Sequence, residues 1–233
     1  MIRALVWVVR GYAPAVVAAS RAKSARRTQH ERSAESAKLL VAATIELIAE
    51  KGFERTTAAE IGERAGYSRE MVRHRYGSKE QLLEFLLEHE NKTLLLRPPS
   101  GVGSGLDQAL EQIQLTRQVA IDDPERLRAF FVLCFEAVGP IPSLGPWMRD
   151  WFDSYGRQLA DILRTGQADG SIRSDLDPDT EAKDITYYSS GLCFSYILHN
   201  DIDDFVSSID RLHDRILEMW GTQTDPAEPA RPG

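Results

Sequence analysis

Apolar residues recur three and four positions apart along most of this chain, and the helices this spacing predicts are separated by short polar or glycine- and proline-containing breaks. Over 33–51, Val41, Ile45 and Ile48 share one face with Leu40, Thr44 and Leu47 beside them, and Gly52 ends the helix. Thr57 and Glu60 have capping-box spacing and open a short helix to about residue 65. Gly66 permits a sharp change of direction. Ser68 is then placed to cap a second short helix, with Tyr67 at its entry and Val72 and Tyr76 facing inward. Ser78 and Gln81 repeat the capping-box spacing and open a helix to about residue 96. Its Leu82, Leu83, Phe85, Leu86 and Leu87 form an apolar face wide enough to join two domains. Arg97, Pro98, Pro99 and the glycine-rich run to Gly105 break the pattern and predict a flexible connection. Helical spacing resumes over about 106–121, 124–138, 147–168, 178–199 and 201–220. No segment alternates as a strand does, so the expected fold class is all-α.

A short helix, a glycine turn and a second helix with a polar outer face together make a helix-turn-helix, whose second helix fits the major groove. On that reading Arg69, Glu70, Arg73 and His74 occupy the exposed part of the recognition helix, Arg73 is able to fork onto guanine, and Thr57, Ser68 and Lys79 hold phosphates. Phe53, Ile61, Ala65, Val72 and Tyr76 are scaffold. The stretch from about Ser33 to Leu83, with GFERTT followed by IGERAGYSREMVRHRYGSKEQLL, resembles the N-terminal domain of TetR-family transcriptional regulators. Relatives commonly carry Tyr-His-Tyr-Phe at the end of the recognition helix. Here His74 and the aromatic Tyr76 keep their places, while Arg73 and Arg75 replace neutral phosphate donors with permanent cations, and Gly77 replaces a frequent Pro. The resemblance implies a double-stranded DNA operator, a homodimer and a small-molecule effector bound by a larger C-terminal domain.

Charge divides along the chain as this reading requires. The net charge of −7 resolves into 17 Lys/Arg against 12 Asp/Glu in residues 1–100 and 11 against 23 in residues 101–233. A basic head on an acidic body keeps the phosphate-facing surface positive. Residues 1–32 read as a disordered basic leader, with Arg21, Lys23, Arg26, Arg27 and Arg32 placed to lie along phosphates; Arg10 interrupts its apolar run, against a signal peptide. Its first 20 residues have the character of an overextended start. Residues 33–80 are the DNA-binding domain, 81–222 the helical effector-binding and dimerisation domain, and 223–233 a disordered tail. Cys134 and Cys193 lie in apolar helical patterns and suit a reducing cytoplasm, and no apolar run approaches the roughly 20 residues that span a bilayer.

The larger domain is rich in aromatic residues, most of which packing alone demands. A cavity between its helices would be lined by Phe131, Cys134, Phe135, Trp151, Tyr155 and Tyr188, with Arg157 or Glu136 anchoring one polar group of a mostly apolar effector. Leu192, Tyr196, Phe205, Ile209, Leu212 and Ile216, together with Ile185 and Trp220, are the expected dimer interface on the last two helices. The chain has no HExxH, GxSxG or Walker loop, and its two cysteines form no CxxC, so neither an enzyme, a metal site nor a cofactor is expected. Asp175, Asp177 and Asp179 alternate as an EF-hand loop begins, but Thr180 and Thr186 stand where Gly and Glu are needed, and Asp177 with Pro178 reads better as a helix start. The expected function is a repressor that binds a palindromic operator and is released by its effector. The alternative is a nonspecific or architectural DNA-binding protein.

Overall fold

The computed structural model describes residues 29–91 and 97–222. Among these residues there are nine α-helices: α1 (Gln29–Lys51), α2 (Ala58–Arg64), α3 (Arg69–Tyr76), α4 (Lys79–Phe85), α5 (Gly105–Asp122), α6 (Pro124–Val138), α7 (Gly145–Asp169), α8 (Pro178–His199) and α9 (Ile202–Trp220). The one β feature among them is an isolated antiparallel bridge between Ile172 and Gly221, which ties the end of α9 to the α7–α8 turn. Most of the leader and the whole 223–233 tail lie outside the described residues, although α1 begins at Gln29, four residues before the expected start.

Capping chemistry set most boundaries. Thr57 and Glu60 form the reciprocal box, with the Thr57 N–H donating to Glu60 Oε2 at 2.9 Å and the Glu60 N–H to Thr57 Oγ1 at 3.3 Å. Asp123, Asp177 and Asp201 each accept the backbone N–H three residues on, at the starts of α6, α8 and α9. Pro178 follows Asp177 at the first helical position, so the alternating aspartates serve the helix start. Ser68 differs from expectation: it is the N-cap residue of α3, yet its side chain makes no capping bond, and its carbonyl instead accepts the Met71 N–H at 3.0 Å.

Helix α4 also departs from a regular rod. After Phe85 it widens into a π-helical turn over Leu86–Asn91, with the Phe85 and His89 rings stacked at 4.6 Å. Leu82, Leu83, Leu86 and Leu87 are buried, as the apolar face predicts. The continuation to residue 96 lies outside the described residues.

Helices α1 to α4 form the small N-terminal unit. In the larger unit α7 packs between α5 and α8, while α9 covers α5 and α8. Helix α6 runs along α1 and joins the two units. The core is continuous through this contact, from Ile48, Ile61 and Val72 in the head to Phe130, Leu159, Leu163 and Trp220 in the body. No single described helix is long and apolar enough to cross a membrane.

Candidate nucleic-acid interface and effector core

The reading head is built by a close crossing. A Cβ on Gly62 would lie 2.8 Å from the Ser68 carbonyl carbon and oxygen, so only glycine lets α2 approach the start of α3. The Tyr67 N–H donates to Gly62 O at 2.7 Å, and Gly66 turns at φ +77°. Val72 is fully buried beneath α3, which leaves Arg69, Glu70, Arg73 and His74 exposed on its outer side. Arg73 and Glu70 are 4.0 Å apart across one turn, an exposed pairing too weak to withhold the guanidinium from another partner. Thr57 is exposed at the start of α2, its hydroxyl turned toward Glu60 Oε2 at 2.8 Å. Ser68 is exposed at the start of α3.

Two cations expected at phosphates are engaged within the protein. Lys79 Nζ donates to the carbonyls of Phe53 at 3.1 Å, Glu54 at 3.3 Å and Thr56 at 2.8 Å, and lies 4.4 Å from the Phe53 ring centroid. Its three donors are spent on the α1–α2 turn, so its position is scaffold. Arg75 Nη1 donates to Ser33 Oγ at 3.2 Å and Ser36 Oγ at 3.0 Å, fastening α3 to α1. Surface ion pairs brace the same unit. Arg64 forks onto Glu50 at 2.7 and 2.9 Å and reaches Glu46 at 3.2 Å. Lys51 bonds Glu60 at 2.5 Å, and with the Thr57 bonds this holds the Glu60 carboxyl down at about 2.

The proposed effector lining divides into two groups. Phe131, Trp151 and Tyr155 are buried and Cys134 is largely so. Trp151 stacks on Tyr155 at 5.6 Å and tilts against Phe130 at 4.5 Å, and Cys134 Sγ lies 3.6 Å from Met148 Sδ. Burial pushes the thiols of Cys134 and Cys193 up to about 12. It does the same to the Tyr155 hydroxyl, which Cys193 raises further and which Thr116 and Gln112 approach. Phe135 and Tyr188 do not belong here. They are 55% and 44% exposed, Phe135 against Phe194 at 5.5 Å and Tyr188 beneath the Arg215 guanidinium at 5.4 Å. Neither polar anchor faces this core: Arg157 is exposed and bonded to Ser154, and Glu136 sits at the joint with the head. Sequence reading missed Gln112 and Ser189, polar residues buried in this core from α5 and α8. The available signal was a polar residue standing inside an apolar stripe.

The expected dimer residues are mostly core. Tyr196, Phe205, Ile209, Leu212 and Ile216 are buried within the chain, as are Ile185 and Trp220, and only Leu192 is half-exposed. Helix α9 packs its main apolar stripe on α5 and α8, and only Leu217 and Met219 among its large apolar residues stay exposed. Exposed apolar residues instead line one side of α8 at Tyr187, Phe194 and Leu198, with Phe135 on α6 against Phe194. A small hollow between the end of α8 and the start of α9 is lined by His199, Asp201 and Asp204 among others, but Asp201 is committed to capping α9 through the Asp204 N–H at 3.0 Å. Among the described residues no group of three or more His, Cys, Asp or Glu side chains is disposed to hold a metal ion.

Residues 40–86 match the sequence profile of bacterial regulatory proteins of the tetR family. No curated protein matches the chain. Among solved structures, full-length native TylP, a TetR regulator from Streptomyces fradiae, is 26% identical, with a TM-score of 0.63 over 83% of this chain and 90% of its own. A TetR-family transcriptional regulator from Rhodococcus sp. is 21% identical, with a TM-score of 0.67 over 78% of this chain and 99% of its own. The SmeT–triclosan complex is 18% identical, with a TM-score of 0.67 over 85% and 98%. Residues 40–86 thus carry the tetR-type reading head, and the chain as a whole is similar in fold to TetR-family transcriptional regulators.

Proposed function

We propose that this protein is a repressor that binds a two-fold symmetric operator as a homodimer and is released by a mostly apolar small molecule. The observation that carries the reading is the outer side of α3, where Arg69, Glu70, Arg73 and His74 stand exposed on a helix whose opposite face is anchored by Val72. Such a surface presents bidentate and single hydrogen-bonding groups of the kinds that recognise base edges in a major groove.

The exposed stripe on α8 supports the dimer. Tyr187, Phe194 and Leu198 are too large and too contiguous to be ordinary surface scatter, and burial against the same stripe of a second copy is isologous. The effector reading draws on the aromatic core between α5, α7 and α8. Trp151 Nε1 and Ser189 Oγ are buried without a hydrogen-bond partner among the described residues. Two unsatisfied donors in an apolar interior favour a guest that is apolar in bulk and carries hydrogen-bond acceptors. The SmeT structure, with triclosan bound, provides a precedent for a ligand of that character in this fold.

Selection of duplexes from random DNA, followed by light scattering on the enriched duplex, tests the proposal. Enrichment of a two-fold symmetric sequence bound by two chains is expected. Failure to enrich any sequence would leave only nonspecific DNA binding and sink the regulatory reading.

A further inference from the structure

The α1–α2 turn is held from two sides by residues distant in sequence. On one side the Glu136 carboxylate, near the end of α6, accepts the Phe53 N–H at 2.9 Å and the Glu54 N–H at 3.1 Å. Gly52 precedes them at φ +85°, and a Cβ there would lie 2.4 Å from Glu136 Oε1. The carboxylate therefore occupies space that only a glycine leaves open, in a conformation that glycine adopts without strain. On the other side, Lys79 at the start of α4 takes the turn's carbonyls. Donors and acceptors of one short segment are thus gripped by two different helices.

What this turn controls is the entry to the reading head. The Thr56 hydroxyl donates to Gly52 O at 2.7 Å, and the next residue, Thr57, caps α2, so the path of residues 52–56 sets where α2 begins and how α3 is presented. What Glu136 is attached to is the wall of the effector core. Phe130, Phe131 and Cys134 precede it on α6 by two to six residues, or roughly 3 to 9 Å along the helix axis. Just past Glu136 the chain turns back, with the Ile141 N–H donating to Glu136 O at 2.8 Å, and enters α7, which carries Trp151 and Tyr155. A rigid rod therefore has core-lining residues along its length and an anion at its end, and that anion holds the head.

We infer that Glu136 is a positioning residue for DNA recognition: its two backbone hydrogen bonds hold α2 and α3 in register with the larger domain and carry effector-linked movement of α6 to the head. This rests on the DNA-binding reading above and adds a route through α6 and α1 that does not pass along α4. The closed carboxylate contact belongs to the operator-competent arrangement. Displacing α6 opens it.

The test uses the full-length chain, the duplex it enriches from random DNA, and a random duplex of equal length. Glu136→Ala should lose about tenfold or more on the enriched duplex, because two hydrogen bonds to a charged acceptor are removed. Affinity for the random duplex should be unchanged, because the cations of α3 remain. Glu136→Gln keeps one acceptor and should lose less. Amide exchange at Phe53 and Glu54 should quicken in both variants while far-UV circular dichroism stays the same. Gly52→Ala should impair the wild-type protein more than Glu136→Ala, since its collision is with the Glu136 carboxylate. An unchanged ratio of enriched to random affinity in Glu136→Ala overturns the inference. Equal losses on both duplexes with lost helicity also overturn it, by assigning Glu136 to fold stability alone. Failure of the wild-type chain to enrich any duplex is a separate outcome, which removes the DNA-binding reading and the inference with it.

Discussion

Leu198→Glu should convert the proposed dimer to folded monomers. Leu198 lies near the end of α8 with 66% of its surface exposed, in line with Phe194 and Tyr187. Full burial of a leucine side chain is worth about 1.5 to 3 kcal/mol, so covering the exposed two-thirds contributes about 1 to 2 kcal/mol per copy. Two-fold symmetry counts it twice, giving about 2 to 4 kcal/mol per dimer, or roughly 30- to 800-fold in the dissociation constant. A glutamate removes this and places a charge in each half of the apolar contact, adding a desolvation cost. Sedimentation velocity across a concentration series reads the shift, and far-UV circular dichroism checks that helicity is kept. Leu212→Ala is the contrast: this residue is 2% exposed and packs inside the chain, so truncation should cost about 2 to 5 kcal/mol of folding stability. Identical dissociation constants for Leu198→Glu and the wild type would refute the assignment of this face, and so would a stable, monomeric Leu212→Ala.

Other expectations follow from individual contacts. Lys79→Ala should weaken operator binding with an unchanged salt slope, because its ammonium holds three carbonyls of the α1–α2 turn; a slope reduced by about one, measured by titration at several salt concentrations, would return Lys79 to the phosphates. Both thiols are raised to about 12 by burial, so Cys134 and Cys193 should react with a disulfide reagent at pH 8 only slowly in the native state and both at once in denaturant. Glu60 is held at about 2, below its ordinary 4.5, chiefly by its bond to Lys51 and then by Thr57. Its contribution is therefore complete above about pH 4.5 and fades as pH falls toward 2, and Glu60→Gln should flatten the head's acid transition within that window, more visibly at low salt.

Local chemistry was the legible part of the sequence. Asp177 with Pro178 and Thr57 with Glu60 each place a helix start through bonds spanning three residues, and pattern reading finds such starts directly. The inward stripe of the head was equally plain, since Ile61, Val72 and Tyr76 stand among mostly polar residues of two short helices. Helix α8 was ambiguous because it is apolar nearly all round. Ile185, Cys193 and Tyr196 face in and Tyr187, Phe194 and Leu198 face out, with the same residue types on both sides. Helix α9, whose apolar positions form a single stripe, invited assignment to a partner chain, yet that stripe was needed by α5 and α8. Long-range polar contacts left no local trace. Nothing within several residues of Glu136 announces the turn at Phe53, 83 residues away, and nothing near Lys79 announces the same turn. Gly62 is similar, because its need for glycine arises from the backbone of Ser68 across the crossing.

On the proposed function, the outer face of α3 reads sequence. The most direct measurement compares the wild-type chain with a variant carrying alanine at Arg69, Glu70, Arg73 and His74, on the enriched duplex and on random DNA at fixed salt. The wild type should prefer its enriched duplex by about a thousandfold or more, and the variant should lose most of that ratio while remaining a folded dimer. A variant that keeps the full preference would place sequence recognition on another surface and overturn the role of α3.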